Sequence, residues 1–324
     1  MQINLLWALA AAGLSLLSAA RAATITEDFS TDPLQNGWQI FGDTNLFQWD
    51  PVNRVLDVTW DSSQPNSYFC HPLGTILGTN DNFSMSFDLY LTDCSAGGYS
   101  FELAAGMQNF AEATNAGFLV GSGYAAPDLA EFDFFPATEY IANASVDPTF
   151  VDSENTFADT LYGFASLPVG IVMRVSLAYT ACTQTGVLTI TTNGVAATPA
   201  SYADLTADAY GTFGDYHLDT FALESYSGAD AYGSLLAHGT IGNIVVVVPQ
   251  PPVRMLQTCL DGGVCQVQFA CLTNWNYVLE SSSDLVNWQR VGSPAAGTGC
   301  NMVLQDTHPP QKQQFYRVCA LRED

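Results

Sequence analysis

The nine residues FSMSFDLYL, Phe83 to Leu91, alternate apolar and polar side chains without a break. Phe83, Met85, Phe87, Leu89 and Leu91 point one way and Ser84, Ser86, Asp88 and Tyr90 the other, the two-residue period of an antiparallel strand with one face in a core. The same period returns in VLDVTW, through Leu56, Val58 and Trp60, and in IVMRVSLAY, through Ile171, Met173, Val175, Leu177 and Tyr179. GVLTITTNG then closes on Asn193-Gly194, a dipeptide suited to tight hairpin turns. No long stretch carries a 3.6-residue period, and Ala203 to Tyr210 is the one segment that reads as a short helix. Many short strands in roughly 225 residues predict an all-β chain whose main body is a two-sheet sandwich.

A boundary follows. Val245 to Val248 reads as a buried strand, and Pro249-Gln250-Pro251-Pro252 cannot extend it, because proline has no amide to donate to a ladder. The expected organisation is a β-sandwich over residues 23–248, a proline-rich linker at 249–254 and a small β module at 255–324. Residues 1–22 hold the apolar run Ile3 to Ala20 and the small-x-small step Ala20-Arg21-Ala22, which reads as a signal peptide. Met1-Gln2 carries no Lys or Arg, so a retained amino-terminal anchor is the alternative. No later apolar run approaches the roughly 20 residues of a membrane span. The expected location is therefore secreted or at the cell surface.

Eight cysteines suit an oxidising exterior, where disulfides persist. Cys70, Cys94 and Cys182 lie in the front part, and Cys259, Cys265, Cys271, Cys300 and Cys319 crowd the tail. The tail is too short to build a large core, so disulfide staples are expected there, with a pairing that the sequence leaves open. Charge divides just as unevenly. Residues 23–249 hold 26 acidic side chains against two basic ones, Arg54 and Arg174. Such a surface repels nucleic acid and anionic membranes. It suits neutral glycans, calcium or a basic partner.

The openings TITEDFSTDPLQNGW and VLDVTWDSSQPNSYF, then FSMSFDLYL and the last strand GTIGNIVVV, resemble the concanavalin A-like jelly-roll sandwiches, the superfamily of legume lectins, laminin-G-like modules and family-16 glucanases. The tail resembles a short carboxy-terminal β module of secreted bacterial proteins: Tyr277, Leu279, Ser282, Asp284, Leu285 and Trp288, then Phe315, Tyr316, Arg317 and Val318 occupy its Y-x-L-x-x-S-x-D-L-x-x-W and F-Y-R-V positions. These resemblances imply a jelly-roll sandwich followed by a small, disulfide-containing β-sandwich-like accessory domain. They also imply a single calcium ion near the chain start, for which Glu27, Asp28 and Asp32 are the candidates.

EFDFFPATE, Glu131 to Glu139, tests the enzymatic branch of that superfamily. Family-16 glucanases carry two catalytic glutamates four or five residues apart on one strand, as E-x-D-x-(x)-E. Glu131 and Asp133 match the first two acids and share one strand face, but the third position falls on Phe135 or Pro136. Glu139 would lie about 26 Å from Glu131 on a continued strand. No catalytic residue is therefore expected; were the chain a glycoside hydrolase, Glu131 and Asp133 would carry the reaction. The leading expectation is a non-catalytic protein that binds a carbohydrate or surface ligand through Glu131, Asp133, Trp38, Trp49 and Tyr68, with Tyr124 and Tyr140 as further ring platforms. A structural or adhesive cell-surface component is the third reading.

Overall fold

The computed structural model describes residues 23–121, 125–159, 165–228, 233–249, 252–261, 263–273, 275–309 and 314–322. The expected signal peptide and Tyr124 lie outside them. Every strand pairing within the sheets is antiparallel, and the described residues form two large sheets and two small ones.

The alternating segments form the strands they predict. Phe83–Gly98, Val55–Asp61, Val172–Thr180 and Thr185–Thr192 all join a nine-stranded sheet, with Gly233–Val248 between the first two. Phe83, Met85, Phe87, Leu89 and Leu91 are all buried. Asn193 and Gly194 both adopt positive φ, 51° and 75°, the backbone that a two-residue hairpin turn requires. Arg174 pairs directly across from Asp88 on this sheet, with Nη1 to Oδ1 at 3.0 Å.

The seven-stranded sheet runs, edge to edge, through Phe157–Asp159, Ser145–Val151, Leu129–Phe135, Leu103–Gln108, Leu218–Ser225, Ser67–Leu77 and Gln39–Phe41. Its inner face packs on the larger sheet through residues such as Phe132, whose ring meets that of Phe87 edge-on at 5.9 Å. One core cluster joins the two sheets.

Three expectations change here. Ala203 to Tyr210 is no helix: Ser201–Asp204 is a strand paired with Thr185–Thr192, and the Asp204 carboxylate then accepts from Thr206 and Ala207 amides to close a turn. Trp38 does not face solvent. It is 3 % exposed and stacks on Phe69 at 4.7 Å, because the turn at Pro33–Asn36 folds it under the sheet. The expected disulfides are absent as well, since all eight cysteines carry free thiols. In the tail, register explains one case: Cys259 lies opposite Gln266 and Cys265 opposite Leu260, one step out of phase, so the two side chains leave opposite faces.

Beyond the front body, Arg254–Asp261, Val264–Ala270 and Asn301–Asp306 form one three-stranded sheet, and Gln289–Ala296, Trp275–Ser282 and Phe315–Arg322 another. The tail motif has a structural basis. Tyr277 is fully buried and donates to the Pro252 carbonyl at 2.9 Å, while Ser282 and Asp284 cap the turn that follows. Several amide bonds to Asp284 hold its carboxyl well below the usual range. Trp288 lies half-buried under the Arg317 guanidinium, 4.3 Å from the ring centre, and Arg317 also pairs with Glu280 at 2.8 Å.

Candidate functional site

Strand period places Glu131 and Asp133 on the outer face of the seven-stranded sheet, opposite Phe132 and Phe134. Register then supplies their neighbours. Across the sheet, Asp159, Thr149, Glu131, Gly106, Ala222, Cys70 and Gln39 form one row. Asp147, Asp133, Ala104, Glu224, Tyr68 and Phe41 form the next. Asp133 and Glu224 thus stand two strands apart, about 10 Å between Cα atoms, with only the Ala104 methyl between them. Gly106 lets the neighbouring strand approach Glu131 closely, because an added Cβ there would collide with the Glu131 Cβ and the Ala130 carbonyl oxygen.

The acids are not on an exposed surface. Glu131 and Asp133 are 1 % exposed, Glu224 is fully buried, and Glu102 is buried too. The segment from Asn109 to Val120 roofs this face: Tyr68 donates to the Ala113 carbonyl at 2.9 Å, Phe118 packs on Tyr226, and Phe110 packs on Phe41. Tyr226 donates to Glu131 Oε2 at 2.9 Å. Glu102 Oε1, Asp133 Oδ1 and both Glu224 carboxyl oxygens have no hydrogen-bond partner among the described residues.

No arginine among the described residues reaches the cluster. Arg174 is bound to Asp88 on the other sheet, and Arg54 lies beside Asp28. Burial is then the main force on these carboxyls, because an ion without water or counter-charge is costly. It raises Glu131, Asp133, Glu102 and Glu224 well above the usual carboxylate range, and each is pushed further by its acidic neighbours. Burial likewise pushes Asp159 up to about 6, with Asp147 adding to it. These groups hold protons at pH values where a free carboxyl has lost them. A protonated carboxyl can both donate and accept a hydrogen bond.

A cavity of about 420 Å³ opens over this end of the sheet, lined by Glu102, Glu131, Asp133, Asp159, Thr149, Phe135, Phe157 and Tyr210, with Gly121 at its margin. Phe157 and Tyr210 meet ring to ring at 5.6 Å, and Tyr210 is largely exposed. The site therefore combines acids on its floor with an aromatic wall.

The other expected site residues go elsewhere. Trp49 is half-buried and donates to the Phe29 carbonyl, and Tyr68 lies under the roof, so neither presents a free ring face. Glu139 lies beyond the end of the strand, and its exposed carboxylate accepts from the Gly98 amide at 3.0 Å, whereas Glu131 is buried. Tyr140 is exposed and stacks on Tyr99. Glu27, Asp28 and Asp32 each bond local amides, at Phe29, Ser30 and Leu34. Among the described residues no group of three or more His, Cys, Asp or Glu side chains is placed to hold a metal ion.

Glu224 and Glu102 escaped the sequence reading. Each is a single acid, in FALES and FELAA, and only non-local strand pairing brings it to Glu131 and Asp133. A Ser-His-Asp trio also assembles: Ser153 Oγ donates to Asp128 Oδ1 at 2.6 Å and lies 3.0 Å from His217 Nδ1. With its proton given to the carboxylate, Ser153 ties loops together rather than acting as a nucleophile.

No protein-family profile matches the chain, and no curated protein matches it. Solved structures do. Lectin II from Ulex europaeus is 14 % identical with a TM-score of 0.45, over 70 % of this chain and 99 % of the lectin. The Lotus tetragonolobus seed lectin is 8 % identical with a TM-score of 0.46, over 71 % and 100 %. Peanut lectin with a nine-residue peptide is 13 % identical with a TM-score of 0.40, over 71 % and 100 %. The front body is a β-sandwich of two large antiparallel sheets, and the two small carboxy-terminal sheets are additional to it. No helix among the described residues is long and apolar enough to cross a membrane.

Proposed function

We propose that the protein binds a neutral carbohydrate in the acid-floored cavity on the outer face of the seven-stranded sheet. The observation that carries this reading is the pair of buried, unpartnered oxygens, Glu102 Oε1 and Asp133 Oδ1, on residues that line a cavity walled by Phe157 and Tyr210. Carboxyls that retain protons match hydroxyl groups as donors and acceptors, and aromatic rings cover the apolar face of a sugar. An anionic ligand would meet acids on the floor and no arginine among the described lining residues. Glu131 and Asp133 are the binding residues retained from the sequence, joined by Glu102 and Tyr210. The site would work outside the cytoplasm, the compartment to which the amino-terminal apolar run points.

The test is retention on an array of neutral glycans. Wild-type protein is expected to be retained, and Glu131→Ala and Asp133→Ala to weaken retention at least about tenfold, the size of one lost hydrogen bond. Equal retention of all three proteins, or none on any glycan, refutes the reading.

The facing of Asp133 and Glu224 across Ala104 favours one second reading, glycoside hydrolysis. One carboxyl that keeps its proton would protonate the leaving oxygen, and another would act as base or nucleophile. Release of reducing ends that Glu224→Gln abolishes would establish it. Binding without release would dismiss it.

A further inference from the structure

A second cavity, of about 440 Å³, lies where the sandwich meets the carboxy-terminal sheets. Gln39, Cys70, Pro72, Thr75, Phe110, Asp219 and Thr220 of the front body line it, and Pro252, Trp275 and Ala320 complete it. We infer that this junction cavity is a second ligand site, for a single neutral sugar ring or a similarly hydroxylated ring with one apolar face.

The lining argues for that class. Trp275, Phe110, Pro72 and Pro252 give apolar walls, against which a ring face loses water without losing hydrogen bonds. Polar groups with spare capacity face them. Gln39 is exposed, its backbone pairs with Cys70, and its side-chain amide has no bond among the described residues. Asp219 uses Oδ1 to accept from the Phe110 amide and the Thr220 hydroxyl, both at 2.9 Å, which fixes the carboxylate and leaves Oδ2 for a ligand. Thr75 adds a hydroxyl. Apolar walls with a few fixed polar groups at the meeting of two structural units are the usual make-up of a small-molecule site. Asp219 and the acidic surroundings disfavour an anion, and the amide, hydroxyl and carboxylate disfavour a purely apolar occupant.

This site is separate from the acid-floored cavity. Cys70 stands in the same cross-strand row as Glu131, three strand spacings away, about 14 Å. The roof segment lies between, with Phe110 at one cavity and Gly121 at the other. The inference also gives the carboxy-terminal sheets a role: without Trp275, Pro252 and Ala320 the cavity has no outer wall.

The experiment uses full-length protein labelled with 5-fluorotryptophan, the Trp275 resonance being assigned by its loss in Trp275→Phe. Glucose, galactose, mannose, xylose and N-acetylglucosamine are titrated separately at millimolar concentrations. The expected result is a saturable shift of the Trp275 resonance with at least one sugar, weakened about tenfold in Gln39→Ala and unchanged in Glu131→Ala. No saturable shift with any of the five overturns the inference. So does a shift that Glu131→Ala removes and Gln39→Ala leaves intact. The reading of the acid-floored cavity depends on Glu131→Ala and this one on Gln39→Ala, so the two fail separately.

Discussion

Asp159→Asn isolates the cost of burying acids without a counter-charge. Asp159 is buried at the edge of the acid-floored cavity, and its carboxyl is raised from 3.8 to about 6 in the folded protein. Between those values the folded state holds a proton that the unfolded chain has lost, so stability falls as pH rises through this window and stays lower above it. A difference of roughly two units at 1.36 kcal/mol each is about 3 kcal/mol. Asparagine cannot ionise, and its side-chain oxygen keeps the acceptor for Tyr210, which bonds Asp159 in the native protein. The two proteins should therefore be about equally stable near about pH 4, and the variant about 3 kcal/mol more stable at about pH 8. Urea unfolding at both pH values reads this directly; with an m-value of about 3 kcal/mol/M the midpoint gap opens to about 1 M. Taking the difference between variants removes the titration of every other acid common to both. A gap that does not change with pH, or one that favours the native aspartate at high pH, would refute the reasoning.

Gly106→Ala tests the close approach beneath Glu131: the new Cβ would collide with the Glu131 Cβ and sit 2.7 Å from the Ala130 carbonyl oxygen. A loss of about 1–3 kcal/mol in urea unfolding is expected, together with weakened glycan retention, and an unchanged midpoint would contradict the packing. Trp38→Ala should cost about 3–5 kcal/mol, as for a large aromatic deleted from a core, since Trp38 stacks on Phe69 and meets Phe221 edge-on. Were Trp38 a sugar platform, retention would fall while stability held. Arg317→Ala removes both the Trp288 contact and the Glu280 pair; because Arg317 is half exposed, a loss no larger than about 1–2 kcal/mol is expected in thermal unfolding, accompanied by a change in Trp288 emission.

The sandwich was legible because its cue is local. Phe83 to Leu91 alternates, and the strand buries the face that the alternation selects. Asn193-Gly194 announces a turn through backbone conformations that few other residues adopt cheaply. The site was legible only in part, since alternation says which face a side chain takes and is silent about which strand lies beside it. Glu131 and Asp133 were found together because they share a strand. Glu224, 93 positions beyond Glu131 by residue number, reaches them through the register of Leu218–Ser225 on Leu103–Gln108. Their burial was invisible for a related reason: the roof from Asn109 to Val120 is made by a different segment, and its contacts with Tyr68 and Tyr226 are tertiary. Trp38 misled because it follows the Pro33–Asn36 turn, a position that reads as a loop, while the turn points its ring inward. The one cue within reach of sequence was an acid placed directly after an apolar run, as Glu224 follows Phe221-Ala222-Leu223, where a buried carboxyl needs a reason.

Carbohydrate held in the acid-floored cavity would be visible in a crystal structure of the protein soaked with an oligosaccharide retained on the glycan array. Sugar hydroxyls are expected within hydrogen-bond distance of Glu102 and Asp133, with a ring against Phe157 or Tyr210. Sugar bound elsewhere, with this cavity holding only water, would contradict that placement.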